Sequence, residues 1–363
     1  MATARIDLAF MFCSVPTDVM RRLLLLLAFL TAGRAFAEDA LRPPPRLHFG
    51  GFADGIARDE STNVVALDLF STLRMSNSWT GLVEVVGQKT WRSGENSPEQ
   101  SEVGLERLYV SYRPSDYFRL EIGETHTGIV RWNEREHRSR FLQTPIDVPA
   151  IARRPQDDGA WPLRFVGVWA SGRARGSLGL TYEIGAGAGP GTERDEIPIF
   201  SSSRSPAGFV AMSIAPENFP GFETGVSVYG QHVPTKPNAL RERDVTVFMN
   251  YVNRGLEVRA ELARMEHDFT RIPTTFRNEG YYVLLSKRLG GVAQRARPYV
   301  LFDHVNIDAA DTYLRNSASE NAWAAGIRYD FTEHFVVKSE YRSQRARDGS
   351  RQPITSVQLS VSF

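Results

Sequence analysis

The sequence has almost no cysteine. Among its 363 residues only Cys13 is a cysteine, and it lies near the N-terminus in a segment that we expect to be removed. The rest of the chain therefore has neither a disulfide nor a thiol. This excludes cysteine metal ligands and cysteine nucleophiles.

Long apolar runs and an excess of charge are also missing. After residue 37 no run approaches the roughly 20 consecutive apolar residues that a membrane-spanning helix needs, which excludes a helical membrane bundle. The charges nearly balance, with 43 Lys and Arg against 42 Asp and Glu. Because no basic excess is available to neutralise phosphates, nucleic acid is not an expected partner.

The single compact apolar block is typical of an export signal. Residues 23–30 read LLLLLAFL, follow two arginines, and lead to the ending Ala35-Phe36-Ala37. A basic start, a short apolar stretch and an Ala-x-Ala ending predict a secretory signal peptide over residues 1–37. Residues 1–19 are interpreted as an upstream extension of that signal or as a long basic region. Residues 38–363 are then one mature domain.

Most of this domain alternates with a period of two, which is the signature of β-strands. The last segment is the clearest, because Val357, Leu359, Val361 and Phe363 share one face while serines and a glutamine share the other. Residues 256–262 alternate Leu, Val and Ala with Glu and Arg in the same way. Each strand is expected to have one apolar and one polar face.

The connections between these segments indicate how the strands are arranged. About sixteen segments are separated by turn signals, the seventh of them over residues 176–185. Short connections such as residues 253–254 alternate with long polar ones such as residues 126–162, as the two rims of an outer-membrane barrel require. The sequence therefore predicts an all-β fold, a closed antiparallel transmembrane β-barrel of about 16 strands with a long constriction loop after strand 5. A soluble exported β-sandwich is the alternative, but it leaves the unequal rims unexplained.

At this point the chain resembles a Gram-negative outer-membrane porin. The run Val357-x-Leu359-x-Val361-x-Phe363 resembles the terminal strand signal by which such proteins reach the barrel assembly machinery. The 126–162 connection falls where sixteen-stranded porins place the loop that narrows the lumen. The resemblance implies a location in the cell outer membrane, contact with its lipid, and a homotrimer.

A narrower resemblance concerns the stretch from Tyr109 to Thr144. It reads YVSYRPSDYFRLEIGETHTGIVRWN, followed by His137 and Leu142-Gln143-Thr144, and it resembles bacterial porins related to the phosphate-selective type. Those porins capture anions with lysines and arginines. Here the domain contains only Lys89, Lys236, Lys287 and Lys338, so phosphate selectivity stays open.

The polar faces of the strands predict which side chains line the lumen. These are Arg107, Arg119, Glu121, Arg259, Glu261, Arg328, Lys338 and Arg342, together with Glu183, Glu257, Arg297, Asp303 and Glu340. Facing charges of opposite sign set up a transverse field that favours dipolar or ionic solutes. The alternative is that these charges only solvate the interior and pair across strands.

The connection over residues 126–162 is the most informative segment. Guanidinium groups match carboxylate and phosphate oxygens in pairs and stay charged at any accessible pH. We therefore predict a weakly anion-favouring constriction that contains Arg131, Arg135, Arg138 and Arg140 with Glu134 and Glu136. The alternative is an extracellular loop with internal salt bridges, since the connection has six Arg against five acidic residues.

Other function classes find less support in the sequence. No serine-hydrolase elbow, zinc-protease or phosphate-loop motif occurs, and we predict neither catalytic nor metal-binding residues. Asp303 and His304 are consecutive on one strand and point to opposite faces. Glu266 and Asp268 share a face around His267 and suit a solvated charge cluster at a strand end. Residues 201–203 suit a loop.

The sequence thus predicts a porin for passive diffusion of small hydrophilic solutes or ions, with no enzymatic activity and no cofactor. Its expected partners are outer-membrane lipid, the barrel assembly machinery and those solutes. The alternatives are a non-conducting barrel that acts as an adhesin or structural protein, or a hydrolase whose residues meet from separate strands.

Overall fold

The structure is a computed structural model and describes residues 45–59, 62–92, 100–136, 140–155, 158–192, 205–234, 238–317, 319–347 and 349–363. The predicted signal peptide lies outside the described residues. The strands are β1 (Arg46–Arg58), β2 (Thr62–Arg74), β3 (Trp79–Arg92), β4 (Gln100–Ser115), β5 (Phe118–His126), β6 (Arg164–Arg173), β7 (Thr181–Gly189), β8 (Ser205–Ile214), β9 (Phe222–Val233), β10 (Leu240–Asn253), β11 (Leu256–Phe269), β12 (Thr275–Lys287), β13 (Ala296–Asn306), β14 (Glu320–Asp330), β15 (Phe335–Ala346) and β16 (Arg351–Ser362). One short helix, α1 (Arg131–Arg135), and three single 3₁₀ turns complete the described elements.

All sixteen strands form one closed sheet in chain order. Each strand pairs antiparallel with its neighbours along the chain, and the first strand meets the last, for example at Gly55 opposite Leu359. The predicted closed antiparallel barrel is confirmed. The soluble sandwich is wrong, because the described strands close on themselves instead of forming two sheets that face each other.

The strands are polar inside and apolar outside, the reverse of a soluble barrel. In β10, Glu242, Asp244 and Thr246 are buried while Val245 and Val247 are exposed. The period-two pattern places these two sets on opposite faces of the sheet. An apolar outer surface of this kind is suited to lipid hydrocarbon.

The two rims differ, although less regularly than the sequence predicts. The long connections over residues 127–163 and 307–319 lie on one rim, but the connection at residues 59–61 on that same rim is short. The reason is that β1 and β2, with 13 residues each, leave only three residues between them. The opposite rim has tight hairpins, and in one of them Arg254 and Gly255 both have positive φ, of 47° and 78°, as a two-residue turn requires.

One strand lies further along the chain than predicted. The seventh was expected over residues 176–185 and is found at Thr181–Gly189. Gly176 and Gly179 have φ of 125° and 58°, so the chain is still turning where we expected a strand.

Aromatic side chains cluster at the rim of tight turns. The rings of Trp79 and Tyr112 lie 4.7 Å apart, and those of Phe331 and Phe335 lie 5.4 Å apart. Such clusters suit an interfacial girdle. In the part of the chain that the structure describes, no helix has the length and apolar character to cross a membrane.

Candidate functional site

The connection between β5 and β6, residues 127–163, folds into the barrel; we call it the inner segment. Its two ends are joined where it leaves the wall, because Thr127 N donates to Leu163 O at 2.7 Å and Thr127 Oγ1 donates to Pro162 O at 2.6 Å. Several of its apolar side chains are fully buried. The candidate site is therefore the space that this segment leaves inside the barrel.

The first part of the inner segment binds to β11 and β12. The Glu261 carboxylate accepts from Arg131 N at 2.6 Å at the start of α1. The ring of Trp132 packs edge-on against Tyr282, with the centroids 5.4 Å apart. Glu136 pairs with Arg259 at 2.5 Å. These contacts hold α1 against the wall opposite its point of entry.

The middle part is bound by charged side chains of β14 and β15. Lys338 Nζ donates to Arg140 O at 2.5 Å and to Pro145 O at 3.0 Å. Arg328 donates to two further carbonyl oxygens of the segment, and Glu340 accepts from Ile146 N at 3.0 Å. Buried charges on the wall thus satisfy backbone groups that the segment would otherwise leave unpaired.

The last part returns across the barrel along β12 to β14. Ile151 sits on Gly280, where an added Cβ would lie only 2.5 Å from Ile151 Cγ2. Arg153 forms a double hydrogen bond with Glu320, at 2.9 and 2.6 Å, and Glu320 is also bound by Arg342 at 2.9 Å. The glycine allows the close approach, and the ion pairs fix it.

These contacts build an apolar cluster within the barrel. Trp132, Ile151 and Trp161 of the inner segment pack with wall residues such as Met265 and Leu301. The cluster extends from Phe165, Phe209 and Tyr229 on β6, β8 and β9 to residues of β11 through β14. Water is therefore confined to the part of the lumen that the cluster leaves open.

The structure places the predicted lumen residues inside the barrel, but many of them bind the inner segment. Arg259, Glu261, Arg328 and Lys338 contact it directly. The others pair along the wall: Arg107 with Glu84, Arg119 with Glu121, and Arg342 with Asp303 and Glu320. Their part in conduction stays a prediction.

The predicted constriction charges are mostly neutralised by neighbours. Arg131 pairs with Glu134 and Glu223, and Arg135 with Glu223. Burial lowers the pKa of Arg131, but the two carboxylates outweigh burial and raise it, whereas burial and the Arg131 charge lower the pKa of Arg135. Arg140 contributes its carbonyl to Lys338. Arg138 lies outside the described residues.

Cavities remain beside the inner segment. One lies between the segment and β1 to β4. Another opens toward the rim of tight turns. Its charged lining residues are Arg113, Arg119, Arg131, Arg135, Arg173, Asp116, Glu134 and Glu183.

A buried histidine fastens the connection after β13 to the wall. His267 Nδ1 lies 2.6 Å from Asp311 Oδ2, and Nε2 lies 3.0 Å from Glu242 Oε2. Because carboxylates accept, the ring donates from both nitrogens as an imidazolium. Burial raises the pKa of Asp311, but hydrogen bonds from His267, Asn278 and the Tyr313 amide, with the His267 charge, lower it overall. Glu266 and Asp268 pair with the exposed Arg243 on the other face, as expected of a solvated cluster, whereas His267 between them faces inward.

Asp311→Asn is expected to release this connection. It removes a charge-assisted hydrogen bond, so trypsin should cleave after the exposed Arg315 about tenfold faster. The rate is measured by electrophoresis of the folded barrel. Asp308→Asn, in the same connection, is the matched control, because among the described residues the Asp308 side chain accepts only from the nearby Ala310 N, at 2.9 Å, and Asn can keep that bond. Equal cleavage rates in the two variants would contradict the assigned role of Asp311.

Two groups of residues at the site were not predicted from the sequence. The acidic partners Glu84, Glu106 and Glu223 lie on other strands, and no sequence spacing connects them with the inner segment. The buried apolar residues of the segment did leave a signal, because Ile129-Val130 and Trp161 are unusual in a solvated loop. Within the described residues no group of His, Cys, Asp and Glu could hold a metal ion. Residues 201–203, expected to be a loop, lie outside the described part.

Comparison with known proteins rests on the structure, because no family model and no curated protein sequence matches the chain. The anion-selective porin from Comamonas acidovorans is similar with a TM-score of 0.60 at 13% identity, covering 88% of this chain and 100% of that one. OmpF of Salmonella typhi, in complex with daunomycin, has a TM-score of 0.58 at 14% identity, over 87% and 97% of the two chains. The chain has the fold of the outer-membrane porins.

A third porin fold extends the comparison. The outer membrane channel DcaP of Acinetobacter baumannii has a TM-score of 0.57 at 12% identity and covers 88% of this chain and 98% of that one. The porin fold is therefore shared over nearly the whole described chain. At such identities the likeness concerns the fold.

Proposed function

We propose that the chain is an outer-membrane porin of a Gram-negative bacterium and lets small hydrophilic solutes and ions diffuse passively. The observation that carries the proposal is the closed sixteen-strand sheet, with an apolar outer face and an inner face lined by charge. All backbone groups of such a sheet pair around the ring, so no edge meets hydrocarbon. Sixteen strands are also wide enough to leave an aqueous path.

The inner segment divides this path and sets its width. Its apolar cluster packs against strands from β6 to β14, and cavities remain beside the segment. Solutes are then sorted by size and by the charges at the narrowest point. No bond is made or broken, and we infer that the chain is neither an enzyme nor dependent on a cofactor.

A weak preference for anions is part of the proposal. The cavity that opens to the rim of tight turns is lined by five arginines against three acidic residues. A basic surplus at a confined passage raises the local concentration of anions. Phosphate selectivity has no separate support, and we do not propose it.

The partners follow from the same proposal. The outer face contacts outer-membrane lipid, and Val357, Leu359 and Val361 are exposed on it. With Phe363, whose backbone pairs with Gly51, they form the proposed signal for the barrel assembly machinery. A homotrimer is proposed from the resemblance to porins.

One observation favours a second candidate, a barrel that does not conduct and acts as an adhesin or structural protein. The apolar cluster inside the barrel is the kind of packing that also blocks a lumen. A hydrolase gains no such support at His267, because both of its ring nitrogens are bound to carboxylates.

Solute flux separates the two candidates. Purified protein is refolded into liposomes, and their swelling is followed in arabinose, in glucose and in raffinose. We expect swelling that slows as the sugar grows, because the inner segment limits the passage. Vesicles that contain folded barrel and swell no faster than protein-free vesicles would contradict the porin proposal.

Charge substitutions at one ion pair test the anion preference in both directions. Glu223→Gln removes the carboxylate that neutralises Arg131 and Arg135, so the anion-to-cation permeability ratio is expected to rise about twofold, as for one screened charge. Arg135→Ser is expected to lower it. The ratio is obtained from the reversal potential in a salt gradient. Glu279→Gln, on the outer face, is the control, and the same ratio in all three variants would contradict the proposal.

A further inference from the structure

The cavity between the inner segment and β1 to β4 has an acidic wall. Four carboxyl groups line it, namely those of Asp54, Asp68, Glu84 and Glu106, together with Arg140, Arg153 and Arg154 of the inner segment. An acidic cluster on its own does not make a site. The contacts of each carboxylate decide whether one of them is available to a solute.

Three of the four carboxylates have donors in the protein. Glu84 pairs with Arg107. Glu106 pairs with Arg164 at 3.2 Å, with Arg154 at 3.1 Å and with His126 at 3.2 Å. Asp54 accepts from Gln358 at 3.0 Å and from Ser360. Their oxygens are therefore largely satisfied by the wall and the inner segment.

Asp68 is different. It is 7% exposed, and its Oδ1 has no hydrogen-bond partner among the described residues. Its neighbour in the wall is the carboxyl of Glu84, with which the Asp68 side chain shares a hydrogen bond, so the two acids hold a proton between them. The buried Oδ1 is left without a donor, which is costly. An ammonium group entering the cavity could take the place of the shared proton and also donate to Oδ1.

We propose that this cavity binds the ammonium group of small primary amines, with Asp68 Oδ1 as the acceptor. The inference rests on the proposed function, since the amine reaches the cavity as a solute in the pore. An ammonium group brings one charge and three N–H donors, enough to serve Asp68 and the adjacent Glu84. A metal ion fits less well, because no cluster in the described residues has the ligands for one.

The geometry also orients the amine. The inner segment lines the same cavity with three arginines, which repel a cation, so the cationic end is expected at Asp68 and Glu84 on β2 and β3. The uncharged end then lies toward the inner segment. This location differs from the arginine-lined cavity at the rim of tight turns, so a weak overall anion preference and an ammonium site occur in one lumen.

Current block by ethanolammonium chloride tests the site. In the wild type, ethanolammonium is expected to reduce the single-channel KCl current in a saturable way. Asp68→Asn should raise the half-blocking concentration about tenfold, the loss expected for one charge-assisted hydrogen bond. Asp68→Glu keeps the carboxyl group, so its half-blocking concentration should stay closer to that of the wild type. Glu217→Gln, in an exposed turn, is the matched control and should leave the block unchanged.

The outcomes separate this inference from the porin proposal. A wild type that conducts KCl, combined with the same half-blocking concentration in Asp68→Asn, overturns the ammonium site and leaves the pore intact. A wild type that does not conduct ends the porin proposal. The site is then tested by calorimetric titration of ethanolammonium into the folded barrel in micelles. Binding heat that is present in the wild type and lost in Asp68→Asn supports the ammonium site. Absence of binding heat in the wild type overturns it.

Discussion

Replacing residues 131–160 by a short Gly-Ser linker is expected to raise the single-channel conductance several-fold. The inner segment places Trp132 and Ile151 inside the barrel, in an apolar cluster that excludes water from part of the lumen. The wall does not need the segment to close, because every strand pairs with its neighbours. A sixteen-strand barrel without it would have an open aqueous lumen.

A point variant with a matched control tests the role of the inner segment with a smaller change to the protein. Trp132 is buried against Tyr282, so Trp132→Ala should loosen α1 and increase the open-channel current and its noise. Trp323→Ala removes a tryptophan exposed on the outer face and should leave the current unchanged. Each barrel is first checked by circular dichroism. A folded deletion variant with wild-type conductance would contradict the assigned role of the inner segment.

Arg342→Met is expected to lower the free energy of unfolding by about 3–5 kcal/mol. Arg342 is 1% exposed and donates to Asp303 at 2.9 Å and to Glu320 at 2.9 Å. Removing the guanidinium leaves the Asp303 carboxylate buried without its cation. It also removes one of the two arginines that bind Glu320, whose carboxylate accepts from Arg153 of the inner segment. The urea midpoint of the barrel in phospholipid vesicles measures the loss.

Two further variants assign the cause of that loss. Arg345→Met lies three residues along β15 on an exposed position and should change stability by less than about 0.5 kcal/mol. The double variant Arg342→Met, Asp303→Asn removes the unpaired charge and should recover part of the loss. Equal destabilisation by Arg342→Met and Arg345→Met would show that the buried pair has no special importance.

The fold could be predicted because a membrane barrel repeats one local rule. Each strand must alternate apolar and polar residues, and Val357, Leu359 and Val361 do so within seven positions. The eventual neighbours of a strand are the next strands along the chain, so antiparallel order follows from short turns. The exception at β7 came from Gly176 and Gly179, which prolong a turn into a region that still alternates.

The path of the inner segment could not be predicted from sequence. Lys338 binds the carbonyl of Arg140 across 198 positions, and no local pattern connects them. Arg131 and Arg135 of the segment form ion pairs, but their partner Glu223 lies on β9. The partners of His267, which are Glu242 and Asp311, also belong to other elements.

The most direct test of the porin proposal is the conductance of the purified wild-type chain in a planar bilayer. We expect discrete, uniform current steps in KCl that are smaller than those of the variant lacking residues 131–160. A folded wild-type barrel that inserts into the bilayer and gives no steps would contradict it.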